Sequence, residues 1–273
     1  MFTYINPEIR ERLIEAGKLL RIDDRGQRLD PREAPPANSL SVNLLGPIPL
    51  PVQIGDTRET VDWYASVRST ELRGVEELAG TLRESGGQHL FSVLASSMAV
   101  NSVLVVGDPA RSEEPLVRVH SSCLTGDVFG SERCECGPQL ADAVGRIARD
   151  EAGGLLIYMA GHEGRGIGLW AKAATYLLQD AGEDTYQANQ SLGLPDDSRD
   201  FSDAAALLHF FVGDRPIRLL TNNPKKIGDL AQHGLSKITP VKHVTGVGEW
   251  NRRYLSAKRD WGHRIGSDDL EQD

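Results

Sequence analysis

The sequence is poor in the features that mark several broad protein classes. It has three cysteines, an odd number and too few for a disulfide framework, which fits a reducing cytoplasm. No run approaches the ~18 apolar residues of a membrane span; the stretch from Phe91 to Val106 is interrupted by Ser96, Ser97, Asn101 and Ser102. The first residues, Met1 to Arg12, contain no apolar core of a signal peptide. Positive charge is also in short supply. The net charge of −9 and isoelectric point of about 5.3 deny the chain the positive field that general nucleic-acid binding requires. An anionic small substrate is compatible with that balance if cations are gathered locally.

What remains is ordinary globular composition, 40% hydrophobic and 25% charged over 273 residues, enough for one substantial core or two smaller ones. No internal repeat is present. Residues 7–20 carry apolar side chains at helical spacing, with Asn6 as N-cap and Pro7 in the first turn. Residues 23–38 are charged and proline-bearing and read as a loop. Strand-like runs follow at Val52–Ile54, Thr60–Val67, His89–Leu94, Ser102–Val106 and Leu116–His120, with a helix at Thr70–Glu84 between them. From Gly137 the pattern alternates. Helices are expected at Gly137–Asp150, Gly168–Asp180, Asp200–Phe211 and Pro224–His233, and strands at Gly154–Tyr158 and Ile217–Leu220. The expectation is an α/β (α+β) fold, a mixed β-sheet flanked by helices. Residues 1–90 would form an N-terminal helical and β extension, 91–260 the main domain and 261–273 a solvated acidic tail.

Every cysteine lies in one short segment, Cys123-x10-Cys134-x-Cys136. Thiolates bind zinc well, and a Cys-x-Cys turn can present two sulfurs to one ion. Three ligands leave a position for water, the catalytic arrangement; His120 as a fourth ligand would make a closed structural site, and plain burial would leave three small hydrophobes. Two strand-to-helix junctions suit a phosphate. One is Glu163-Gly-Arg-Gly-Ile-Gly168, where glycines let backbone N–H groups approach an anion and Arg165 adds charge. The other is Thr221-Asn-Asn-Pro-Lys-Lys226. Tyr176 fits a core position or an acid/base group, and Asp196–Asp200 reads as a helix N-terminus capped by Ser198 or Asp200.

Taken together, the runs Arg118–Gln139, Glu163–Gly168, Tyr176–Asp180, Asp184-Thr-x-x-Ala-Asn189, Asp197-x-Arg199-Asp200 and Thr221–Lys226 resemble the GTP cyclohydrolase II family, in family order across roughly residues 115–240. The resemblance implies opening of the imidazole ring of GTP, with release of formate and pyrophosphate and formation of a diaminopyrimidinone ribosyl phosphate for riboflavin synthesis. It implies zinc on Cys123, Cys134 and Cys136, activating the water that attacks C8 of the purine. Arg199 would act at the α-phosphate with Asp197 as the neighbouring proton acceptor, and Tyr176 would complete ring opening. Arg118, His120, Gln139, Glu163, Gly164, Arg165, Thr185, Thr221 and Lys226 match substrate contacts. Magnesium on the triphosphate and a homodimer are implied likewise. Two positions depart from the family pattern. Ser122 stands where the family has a glutamate, and the segment between Tyr158 and Glu163 is one residue longer, lacks an arginine and contains Gly161-His162. A paralogue with altered base specificity, or a silent nucleotide-binding protein, are the alternatives.

Overall fold

A computed structural model describes residues 5–84 and 98–271. The expected strand at His89–Leu94 and the expected boundary after residue 90 lie outside these residues. The first helix, α1 (Pro7–Glu15), opens with Asn6 accepting the Glu8 amide. It closes earlier than the apolar spacing predicts. Gly17 adopts a positive φ of 64°, and the amides of Lys18 and Gly17 return to the carbonyls of Leu13 and Ile14. That paired closure ends a helix with glycine just past its cap. Leu19 and Leu20, expected on the helix, therefore begin strand β1 (Leu19–Asp23).

Strands β2 (Arg28–Leu29), β3 (Ser41–Ile54) and β4 (Thr57–Arg68) follow, then helix α2 (Ser69–Glu84). The 14-residue β3 reaches well beyond the expected run Val52–Ile54, although Pro47, Pro49 and Pro51 sit within it. They fit because β1 pairs only with Ser41–Leu45, so beyond Leu45 the strand is an edge on that side. There a missing N–H costs no ladder bond.

The rest of the chain contributes β5 (Asn101–Gly107), β6 (Leu116–Ser121), the one-turn helix α3 (Leu124–Asp127), α4 (Cys136–Arg149), β7 (Gly153–Met159), α5 (Leu169–Asp180) and α6 (Thr185–Ser191). It continues through α7 (Ser202–Val212), β8 (Ile217–Leu220), α8 (Pro224–Gln232), β9 (Ile238–Val241), α9 (Arg252–Asp260) and α10 (Ser267–Leu270). The described strands form a single nine-stranded sheet, ordered β2-β1-β3-β4-β5-β7-β6-β8-β9. Pairing is antiparallel from β2 to β7 and parallel from β7 to β9. The N-terminal region thus extends the same sheet.

Strand β7 is nearly all apolar because both its faces are covered. Leu155 and Ile157 pack with α7, whose Ala204 to Leu208 are fully buried, whereas Leu156 packs on the opposite side against Ala143 and Ile147 of α4. Of the C-terminal residues expected to be a solvated tail, Ile265 and Leu270 are in fact buried against Leu255 of α9. Their apolar contacts outweigh the acidic neighbours. No described helix is long and apolar enough to cross a membrane.

Candidate active site

Parallel strands deliver their following loops to one edge of the sheet, where ligands bind in open α/β sheets. Here β6 runs into the cysteine loop, β7 into the glycine turn and β8 into Thr221-Asn222-Asn223.

In the cysteine loop, Asp127 is the organising group. Its carboxylate accepts the Cys123 amide (3.0 Å) and the Tyr158 hydroxyl (2.9 Å) and lies 3.1 Å from His120 Nε2. Beside it, the sulfurs of Cys123, Cys134 and Cys136 lie within 4.8 Å of one another, with Cys123 and Cys134 3.6 Å apart. Two sulfurs bound to one zinc at ~2.3 Å in tetrahedral geometry would be ~3.8 Å apart. Gly126 permits the convergence. A Cβ there would come within 2.9 Å of Cys134 Sγ and 3.2 Å of Cys123 Sγ. Hydrogen bonding with Cys123 pushes the Cys134 thiol up to about 12, so the trio is arranged as a set that a cation would relieve. The donor set fits a metal ion. Among the described residues the group contains no fourth ligand, because His120 turns its Nε2 to Asp127.

The glycine turn brings Glu163 to the same place. Its carboxylate accepts the Leu124 amide (2.7 Å) and Lys172 Nζ (2.6 Å), and Lys172 also donates to Cys123 Sγ (3.2 Å) and Thr125 Oγ1 (3.0 Å). Burial alone would lower the Lys172 pKa; Glu163 and Cys123 outweigh it and hold the ammonium charged. Tyr176, one turn further along α5, places its hydroxyl 3.1 Å from Thr125 Oγ1, and burial raises its pKa. Gly164 and Arg165 both have positive φ (58° and 63°), and Arg165 is the only non-glycine with that conformation among the described residues.

Across the cleft, cations gather. Arg118 donates to Leu220 O (2.7 Å) and Gln139 Oε1 (2.9 Å), and Lys226 to Val119 O (2.7 Å). Burial drives the Arg118 pKa down to about 10 and lowers that of Lys226 strongly, with the nearby Arg118 and Arg199 adding to it. Arg199 forks onto Asp197 through Nε (2.9 Å) and Nη2 (2.7 Å). Burial would raise the Asp197 pKa, but Arg199 outweighs it and holds the carboxyl below the usual range. Two buried cations, Arg118 and Lys226, and the partly buried Arg199 face one space, and with Arg118 Nε and Arg165 Nη2 lacking partners among the described residues they suit a polyanion.

All the expected site residues except Asp197 line this single cleft: the three cysteines, Arg118, His120, Gln139, Glu163, Gly164, Arg165, Tyr176, Thr185, Arg199, Thr221 and Lys226. Asp197 stands behind Arg199. Sequence reasoning missed Lys172, although its four-residue spacing from Tyr176 puts both on one face of a helix. It also missed Tyr254, Lys258 and His263, which enter the cleft from α9 and the loop after it. No local pattern marks them.

The two departures become structural ties. Ser122 donates to Ala160 O (3.0 Å). His162 Nε2 meets Asp200 O (2.9 Å); a carbonyl only accepts, so this nitrogen carries the proton and Nδ1 accepts from Ser121 (3.1 Å). Burial takes the His162 pKa down to about 4.

A family model described as GTP cyclohydrolase II matches residues 87–242, more than half of the chain. Among curated proteins, the riboflavin biosynthesis protein RibBA of Mycolicibacterium paratuberculosis is 51% identical over 170 residues, which are 62% of this chain and 40% of that protein. The RibBA of Nocardia farcinica is 52% identical over 170 residues, 62% of this chain and 41% of that protein. The chain thus spans about two fifths of the length of the curated relatives it matches. The matched stretch contains the cysteine loop, the glycine turn and the buried cations, and on that footing the chain belongs to the GTP cyclohydrolase II family.

Proposed function

We propose that this protein opens the imidazole ring of GTP, releasing formate and pyrophosphate and leaving a diaminopyrimidinone ribosyl phosphate. One observation carries the reading: a three-thiol metal site and a buried cation cluster share one cleft. The reaction needs both, because water must be added to the purine at one end and the triphosphate cleaved at the other.

Zinc on Cys123, Cys134 and Cys136 would supply Lewis acidity and lower the pKa of water toward neutrality. The protein's own groups do the rest. Arg118, Thr221 and Lys226 face the phosphates, whose charge offsets the cost of burying the cations. Arg199, fixed by Asp197 in a bidentate fork, is oriented for the α-phosphate. Tyr176 is held through Thr125 beside Cys123, where its hydroxyl can pass a proton during ring opening. Glu163 and Lys172 hold the cysteine loop against the glycine turn. Magnesium on the departing pyrophosphate, a homodimeric assembly and a cytoplasmic setting belong to the same reading. So does a place in riboflavin biosynthesis, supported by the names of the relatives.

A second reading is an altered base preference, favoured by Ser122, which puts a neutral hydroxyl tied to Ala160 where the family has a carboxylate. A nucleotide panel with zinc-loaded enzyme and magnesium, assayed for formate and pyrophosphate together, tests both. GTP should yield both products. An intact GTP pool would sink the first reading, and faster turnover of another nucleotide would establish the second.

A further inference from the structure

Arg165 occupies a costly backbone conformation, φ 63°, which persists only when its surroundings enforce it. Its carbonyl is held by the Ser198 amide (3.1 Å) and hydroxyl (3.2 Å), and its side chain is held by a stack that reaches beyond the family match. Its guanidinium carbon lies 3.7 Å from the centroid of the Tyr186 ring, and the Trp261 ring lies 4.0 Å from the same centroid at an interplanar angle of 9°. Both are contact distances, so the two groups must take opposite faces of Tyr186. The result is a three-layer stack, Trp261 on Tyr186 on Arg165, with Arg165 Nη2 buried and donating to nothing among the described residues.

Neither aromatic is asked for by the family pattern. Position 186 is unspecified in the block Asp184-Thr-x-x-Ala-Asn189, and Trp261 follows the matched residues 87–242. The segment carrying Trp261 is fixed at both ends of the cleft. Lys258 pairs with Glu135, which sits between Cys134 and Cys136, at the metal end, and the Arg264 amide donates to Asn222 O (2.8 Å) at the phosphate end. Tyr254 and His263 of the same segment also line the cleft.

We propose that the C-terminal segment, residues 247–266, is a wall of the nucleotide site and that Trp261 is a positioning residue, presenting Arg165 to the nucleoside triphosphate through Tyr186. The stack costs the guanidinium little, because it remains free to donate in its own plane while its face is covered. Loss of Trp261 uncovers Tyr186 and loosens the Arg165 guanidinium, while Ser198 still holds the Arg165 backbone. The loss falls on substrate binding, because the thiols and Lys172 are held by other contacts.

The proposal rests on the nucleotide reading above, and the test separates the two. Full-length, zinc-loaded Trp261→Ala and Trp261→Phe are compared with the parent for KM, kcat and zinc content. Trp261→Ala should raise KM about tenfold with kcat within about twofold and zinc content unchanged, and Trp261→Phe should return KM close to the parent value. An active parent together with an unmoved KM in Trp261→Ala overturns this proposal alone. So does a Phe variant as impaired as the Ala variant, or loss of zinc with loss of kcat, which would mark plain structural damage. A parent that turns over no nucleotide in the panel overturns both readings.

Discussion

The Lys172 ammonium lies 3.2 Å from Cys123 Sγ and 2.6 Å from Glu163 Oε1, so one cation neutralises two acidic groups that the fold forces together. The side chains are only 9% and 14% exposed for Lys172 and Glu163, and neither charge has much water to fall back on.

Replacing Lys172 with Met therefore leaves a buried carboxylate unpaired beside the thiols. The expected loss of stability is about 3 kcal/mol, the lower end for breaking a buried pair. Urea denaturation measures it. The double variant Lys172→Met with Glu163→Gln should recover about half of the loss; equal stability of Lys172→Met and the parent would refute this account.

Metal content should be about one zinc per chain, read by elemental analysis of protein purified without chelator. Cys136→Ser should lose most of it. His120→Gln should keep it, because His120 addresses Asp127 and not the sulfurs. Loss of zinc in the His120 variant would show a fourth ligand after all.

The fork between Arg199 and Asp197 predicts that shape matters as much as charge. Arg199→Lys keeps the charge but cannot hold both carboxylate oxygens, so turnover should fall about a hundredfold, as when a single charge-stabilising donor is removed. Zinc content should stay at the parent level. Activity within about threefold of the parent, measured as pyrophosphate release, would remove Arg199 from the reaction.

Buried histidines make stability depend on pH, His120 among them. Burial lowers His162 to about 4 and His243 and His263 to about 3, each from an ordinary value of 6.5. Between 6.5 and these values the unfolded chain takes up protons that the folded chain refuses, so stability falls as pH falls and is fully present above 6.5. Each histidine should contribute up to about 1 kcal/mol of loss between pH 6.5 and 5.5. Urea midpoints under saturating zinc follow it, and His162→Gln should flatten the slope by about one such share. An unchanged slope would mean that His162 is charged in the folded state.

The site was readable from sequence where its residues sit on short runs that leave a parallel strand. Cys123, Glu163 and Thr221 each follow β6, β7 or β8 within a few residues, so local spacing carries the chemistry. Asp197 was expected beside Arg199 from the resemblance, but the bidentate fork that joins them is visible only in the structure. The groups from α9 were hidden because Tyr254 and Lys258 lie on a mainly polar helix and reach the cleft through tertiary packing alone. In the fold, the end of α1 was written in Ala16-Gly17 but overridden by apolar spacing. The prolines of β3 concealed a strand because edge status depends on where β1 stops, which no local pattern records.

Asp127 has a consequence for how the cysteine loop would behave when a metal ion enters or leaves it. The backbone of Cys123, the His120 ring and the Tyr158 hydroxyl are all fastened to that one carboxylate, while Gly126 keeps open the space in which the sulfurs meet. Protein contacts therefore hold the loop alongside whatever the sulfurs bind. Small zinc domains unfold when stripped, but here a chelator should leave the thiols gathered and the chain folded. If zinc is the ion bound there, zinc added back after a chelator should restore the turnover proposed above, read as formate release; failure to regain it would count against this account.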